Sequence, residues 1–387
     1  MRILQIIPSI SLVYGGPSQM VRGLSAALAD LGVEVTVLTT DANGDNGQPP
    51  IDVPLNQPIQ QDGYTVRYFR CSPFRRYKFS MNMLRWLWQN AADYDLAHIH
   101  ALFSPISSLS ATVARSRNLP YILRPLGTLD PADLKKKQQL KQIYAKLLER
   151  ANIAGSAALH FTSEEEARIS ERFGVVTRDI VMPLGVHPPI AVSQTPTDSQ
   201  QLPQILFLSR IEPKKGLDIL IPALENVLAS GIKFQFILAG ANPQDPNYEA
   251  QIQQQIQQSP LAKYTTITGF VTGEKKAALL QNADLFVLPS YYENFGIAVA
   301  EAMVTGVPVV ISTGVQIWPA VQQAEAGWVG KCEVGEMTHL IQTALQNATE
   351  RSRRGGNAQA YALKHYSWSA IATQMIQAYK AVVSQGN

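Results

Sequence analysis

The chain has 387 residues, 46% of them hydrophobic and 16% charged, with a mean hydropathy of -0.04. That length suits two domains, and the balance excludes a disordered or highly charged chain. Net charge is +3, too small for a nucleic-acid footprint, although residues 1–190 hold 20 Lys+Arg against 16 Asp+Glu, a mildly basic half.

No apolar run approaches the roughly twenty residues of a membrane span. Residues 1–10 are expected as a buried first strand and not as a signal peptide. Cys71 and Cys332 stand far apart, which points to a reducing cytoplasm and away from a disulfide scaffold.

In chain order, residues 3–7 predict a strand. Gly15-Gly16-Pro17-Ser18 follows, where two glycines let backbone approach a ligand ahead of a helix whose free amides suit an anion. A plain structural turn explains those four residues equally well. Val21, Leu24, Leu28 and Leu31 recur at helical spacing, Gly32 stops the helix, and residues 33–39 form the next strand. This order requires a parallel sheet with a right-handed crossover. Residues 41–62, rich in Gly, Pro, Asn and Gln, are expected to be a loop. Further strands are expected at 96–100, 121–124 and 159–162.

Residues 183–203, dense in Pro, Ser, Thr and Gln, read as a linker. Beyond them strands are expected at 204–209, 234–239, 265–268, 285–288 and 309–311, with a helix over 217–230. The glutamines of 251–258 form one polar helix face. The fold class is α/β, two doubly wound domains facing a cleft, where ligands meet the C-terminal ends of strands.

Two segments carry the chemistry. Arg210 and Lys215 lie five positions apart at the end of an expected strand and can converge on a diphosphate, Arg as a fork and Lys as a point charge. The alternative is a solvated basic turn. After strand 285–288, Glu293 and Glu301 bracket a glycine turn and a helix start. A carboxylate accepts from paired hydroxyls, so one suits a sugar and the other a ribose, while Asn294, Phe295 and Gly296 offer amides to a phosphate. Any single glutamate of this kind is ordinarily structural.

Taken jointly, Arg210 with Lys215, the Glu293–Glu301 pair and Gly15-Gly16 resemble the family 4 retaining glycosyltransferases, whose GT-B fold pairs two Rossmann-like domains. The resemblance covers nearly the whole chain, including Pro183-Leu184-Gly185-Val186 and Tyr366-Ser367-Trp368. The N-terminal part is similar to cyanobacterial exopolysaccharide transferases, the hormogonium polysaccharide group among them. The resemblance implies an acceptor-side domain over 1–187, with a helix at about 369–387 crossing back onto it, and a nucleotide-sugar domain over 188–368.

It further implies that Arg210 and Lys215 neutralise the leaving diphosphate, that Glu293 holds the transferred sugar and that Glu301 binds the ribose. Gly269-Phe270-Val271 resembles the base-binding loop, and Gly16, with Gly15, lets the first loop approach donor or acceptor. Asn294 to Gly296 add amides to the donor. The expected partners are a UDP- or GDP-linked sugar and a glycan or lipid-linked acceptor. No metal or cofactor is expected, and retention comes from front-face attack. The place is the cytoplasm, and the basic segments of the N-terminal domain leave peripheral contact at the inner membrane face open.

One position departs from the family. Arg124 to Pro131 resembles a loop that commonly reads Pro-His-Gly, with Leu126 at the histidine position. His98 and His100 end a nearby expected strand, and His100 is the candidate to reach substrate; a strand-end histidine is more often structural. Because the loop is apolar, an imidazole at 126 is expected to lack partners and to cost stability. Leu126 also motivates a second reading, a nucleotide-sugar-binding homologue that no longer transfers.

Asp93-Tyr94-Asp95 matches a metal-binding Asp-x-Asp but precedes its strand, the wrong end of the sheet. The lysines of 133–150 beside Leu140, Ile143, Leu147 and Leu148, and the mixed basic and aromatic run 67–88, suit either anionic lipid or a helix packed on its own domain with solvated lysines. The second is the expectation here.

Overall fold

The computed structural model describes residues 1–45, 48–72, 77–135, 138–188, 202–243 and 245–384, with backbone alone at Ala132. Most of the expected linker, 189–201, lies outside the described residues. Two compact units emerge, Met1–Gly185 with Trp368–Asn387, and Val186–Ser367.

The first unit holds an eight-stranded sheet: β1 (Arg2–Ile6), β2 (Glu34–Thr40), β3 (Pro58–Gln61), β4 (Tyr64–Phe69), β5 (Leu96–His100), β6 (Tyr121–Arg124), β7 (Ala158–Phe161) and β8 (Asp179–Val181). Their order is β3-β4-β2-β1-β5-β6-β7-β8. All neighbours are parallel except the β3–β4 hairpin. Strands β5, β6 and β7 are buried along their whole length and are mainly apolar, interrupted by His98, His100, Arg124 and His160.

Strand β3 lies inside the stretch expected to be a loop. It begins at a proline and alternates exposed and half-buried residues, as an edge strand can, so its composition gave no strand signal. The unit closes with the helix Trp368–Val383, packed against the helix Gly16–Asp30. The Trp368 ring lies where a Cβ would stand on Gly23 and on Gly185, so both glycines are needed for its seat. At the unit boundary Gly185 packs on Trp368 while Val186 bridges Ser367, two residues before the division expected at 187.

The second unit holds a six-stranded, wholly parallel sheet: β9 (Gln204–Leu208), β10 (Gln235–Ala239), β11 (Thr265–Gly269), β12 (Leu285–Leu288), β13 (Val309–Ser312) and β14 (Gly327–Gly330). Its order is β11-β10-β9-β12-β13-β14. The chain moves outward from β9 in one direction, then returns to start β12 on its other side. In both units that reversal creates a switch point, between β1 and β5 and between β9 and β12. Strand β14 escaped the sequence reading because Gly327 opens it, at a place where a Cβ would collide with the Val309 carbonyl.

Candidate functional site

In the second unit, both chemistry-bearing segments leave the sheet at the switch point. Residues 209–216 follow β9, and residues 289–296 follow β12. The loops are stitched together by the Tyr291 amide, which donates to the Lys214 carbonyl at 2.9 Å. Gly216 makes the approach possible. Its φ is +72°, and a Cβ there would strike the Pro289 carbonyl at the end of β12.

Lys215 is almost buried and pairs with Glu293 across the switch point. Glu293 is fixed in turn through its backbone, its amide donating to Gly314 O at 2.9 Å and its carbonyl accepting from the Gln316 amide at 3.0 Å. Arg210 stays 57% exposed and pairs with Glu212 at 2.5 Å. The cation that can reach outward is therefore Arg210, while Lys215 is preset by its partner.

Gly296, at φ +78°, turns the chain into the helix Ile297–Val304, which has no side-chain cap at its N-terminus. Free amides and the helix dipole make that end attractive to an anion. The Phe295 ring is buried edge-on against Tyr366, so what this residue offers a ligand is backbone. Glu301 lies in the helix with Lys276 Nζ donating to it at 2.5 Å. Lys276 was not among the residues singled out from sequence. Only the packing of its helix, Gly273–Asn282, brings it to Glu301. At the end of β11, Gly269 accepts from the Gly240 amide at 2.8 Å, and Phe270 is 77% exposed. Val271 follows, half-buried.

In the first unit Gly15 and Gly16 follow β1 and start the helix Gly16–Asp30, again without a side-chain cap. His100 ends β5 but offers no surface: it is fully buried. The expectation that it reaches substrate is corrected accordingly, since its ring faces the interior.

There it starts a chain of hydrogen bonds whose direction follows once burial keeps the imidazoles neutral. The Met182 carbonyl can only accept, so His160 Nε2 carries the proton at 3.2 Å. His160 Nδ1 must then accept from His98 Nε2 at 3.1 Å, and His98 Nδ1 from the Tyr379 hydroxyl at 2.8 Å. Gln5 Nε2 donates to Tyr379 at 3.0 Å, and Gln5 Oε1 accepts from His100 Nε2 at 2.7 Å. Every imidazole is neutral in this arrangement, in keeping with burial, which pushes all three well down and His160 to about 3. Arg124, paired in register with His100, is also buried, which lowers it to about 10. The chain fastens the C-terminal helix to the sheet through Tyr379. The sequence signal was the polar residue at alternate positions of apolar strands: Gln5, His98, His100, Arg124 and His160.

Leu126 is half-buried and holds φ +59°, a left-handed conformation that strains a leucine. The Gly127 amide beside it donates to Glu166 at 3.2 Å. The expectation was that an imidazole at 126 lacks partners; Leu126 is only half-buried, and histidine enters its left-handed conformation more readily than leucine. Asp95 receives the Arg2 amide at 2.7 Å at the entry of β5, away from the switch point.

Residues 15–185 match the glycosyl transferase 4-like domain, and residues 193–361 match the glycosyl transferases group 1. Over the full chain and 98% of the relative, the sequence is 26% identical to the phosphatidyl-myo-inositol mannosyltransferase of Mycobacterium leprae. It is 27% identical to the 2-deoxystreptamine N-acetyl-D-glucosaminyltransferase of Niallia circulans, over 76% of this chain and 79% of that one.

Among solved structures, sucrose-phosphate synthase from Thermosynechococcus elongatus superposes with a TM-score of 0.76, at 22% identity over the whole of both chains. Anabaena HepE in complex with UDP gives 0.76, at 20% identity over 98% of this chain and 100% of that one.

Proposed function

This chain is a glycosyltransferase of the GT-B fold, and from that premise we propose that it moves a sugar from a nucleotide-sugar to a glycan or lipid-linked acceptor, retaining configuration and needing no metal. The observation that carries the donor reading is the switch point of the second sheet, where Arg210, Lys215, Glu293 and an uncapped helix start come from two adjoining loops. Cationic side chains and free amides suit a diphosphate, and the carboxylate beside them suits sugar hydroxyls. HepE was solved with UDP and with UDP-glucose, which supports a UDP-linked donor. The mannosyltransferase named for phosphatidyl-myo-inositol supports a lipid-linked acceptor.

In this reading Arg210 and Lys215 stabilise the departing diphosphate, Glu293 orients the sugar and Glu301 takes the ribose. Phe270, with Gly269 and Val271, lies against the base. Gly15 and Gly16 admit the acceptor or the donor phosphate. The acceptor oxygen bonds to the anomeric carbon on the face the diphosphate leaves, and its proton passes to a diphosphate oxygen. Electrostatic stabilisation is then the protein's main contribution. We place the reaction in exopolysaccharide synthesis in the cytoplasm, with the N-terminal domain in peripheral contact with the membrane.

The test is calorimetric titration with UDP and GDP, followed by donor assays in EDTA with the anomeric configuration of the product read by NMR. Nucleotide binding with metal-free, retained transfer is expected. Strict metal dependence, inverted product or no nucleotide binding at millimolar concentration overturns the reading. Binding without any transfer or donor hydrolysis favours the non-catalytic homologue.

A further inference from the structure

One surface helix of the first unit buries polar residues beside apolar ones: Glu149 and Asn152 with Ala145 and Ile153. It runs through Gln138–Tyr144, a π-helical turn Ala145–Glu149 and Arg150–Ala154. Glu149 is buried, accepting from the Phe103 amide and the Ser108 hydroxyl, both at 2.7 Å. Asn152 is buried too, donating to Ser108 O at 2.8 Å and accepting from Thr112 at 3.1 Å. The Tyr144 hydroxyl donates to Ser108 at 2.9 Å.

With that side held, Leu140, Ile143 and Leu147 are left 63%, 57% and 74% exposed. Leu140 and Ile143 neighbour each other on the α-helical part, and Leu147 follows in the π-helical turn. The helix rests on its domain through Ala145, Glu149, Asn152 and Ile153 with Lys146 in solvent, as expected, but these three apolar side chains stay outside that packing.

Charge around these side chains selects what covers them. Lys146 and Arg150 are exposed, and neither makes an ion pair among the described residues, whereas Lys141 is tied to Asp133 at 2.6 Å. An apolar group flanked by unneutralised cations fits the boundary between lipid headgroups and acyl chains. It fits a second copy poorly, because the same cations would face one another, and three side chains fall short of the about twenty residues a side of a stable dimer.

We propose that this helix docks the protein on an anionic bilayer, with Leu140, Ile143 and Leu147 entering the headgroup boundary and Lys146 and Arg150 meeting lipid phosphates. This deepens the membrane contact proposed above and is independent of the donor site.

The test is co-sedimentation of the full chain, without nucleotide, with phosphatidylcholine vesicles and with vesicles containing phosphatidylglycerol. Anionic vesicles are expected to bind about tenfold more protein, with the preference falling as salt rises. Leu140→Ser/Ile143→Ser/Leu147→Ser should cut binding at least about fivefold at unchanged melting temperature, because the three side chains are already in water. Lys146→Glu/Arg150→Glu should abolish the anionic preference. Equal binding of the serine variant, or no binding by the wild type, overturns the proposal. So does a wild-type dimer in light scattering that the serine variant disperses, which would make a second copy the occupant. UDP and GDP titrations on the same variants separate this from the donor reading, since their nucleotide affinity should match the wild type.

Discussion

Lys215 and Glu293 reach across the switch point of the second sheet and close on each other as an ion pair, each carried by a loop that leaves an adjacent parallel strand. Under the proposed function, the pair would hold a cation in place before a diphosphate arrives, leaving little reorganisation for its binding.

Arg210 and Lys215 should therefore differ in stability while agreeing in rate. Replacing either by alanine is expected to lower kcat by about a hundred- to a thousandfold, the usual cost of losing a preset transition-state partner. Arg210→Ala should leave the melting temperature unchanged, because its side chain is largely in water. Lys215→Ala strands the Glu293 carboxylate and should cost on the order of 1–3 kcal/mol. Steady-state rates with a matched donor and thermal melts check both; wild-type turnover in both variants would remove them from the mechanism.

Glu301→Ala should weaken nucleotide binding about tenfold with kcat changed less than about threefold, since a ribose contact is the same in ground and transition states. Titration calorimetry with UDP and GDP reads it directly. An unchanged affinity would give the ribose to another residue.

The buried histidines predict a pH profile of stability. Their folded values lie below the ordinary 6.5, through burial first and neighbouring charge second. The unfolded chain thus binds more protons below about pH 6.5, and stability present above that value is lost as pH falls. The loss continues toward about 3 for His160. Each neutral histidine contributes a slope of up to about 1.4 kcal/mol per pH unit. Denaturant midpoints from pH 8 to 4.5 should fall with pH, and His160→Gln should flatten the slope. An identical slope in that variant would place the acid sensitivity elsewhere.

Tyr379→Phe removes a hydroxyl that both accepts from Gln5 and donates to His98. Two buried groups lose partners, so a loss of about 1–3 kcal/mol is expected. Hydrogen exchange should show the C-terminal helix opening more readily than the strands. Uniform exchange across the unit would mean that the chain does not fasten that helix.

Leu126→His should fold as well as the wild type, within about 0.5 kcal/mol, because a half-buried position at positive φ suits histidine at least as well as leucine. Donor turnover measured beside melting temperature separates the possibilities. A drop of several degrees would show the site to be an apolar pocket after all.

The strands at 96–100, 121–124 and 285–288 were legible residue for residue, because fully buried parallel strands are short and mainly apolar, with polar residues only at single positions such as His98, His100 and Arg124. The placing of Arg210, Lys215 and Glu293 on loops at adjacent strand ends, and of Glu301 in the helix that follows, was legible as well, since short local spacings decide it. Edge strand β3 was not, for its pairing is decided by a neighbouring strand and not by its own residues. Nor was Lys276, which meets Glu301 only through helix packing. His100 and the helix at 138–154 show the same limit. Which side of a strand or helix faces inward depends on the partners it finds. Gln5 holds His100 and Tyr379 holds His98 in the core, and Ser108 draws Glu149 and Asn152 there, leaving three large apolar side chains in water. Local pattern fixes the elements; the hydrogen bonds that must be satisfied once they pack fix their orientation.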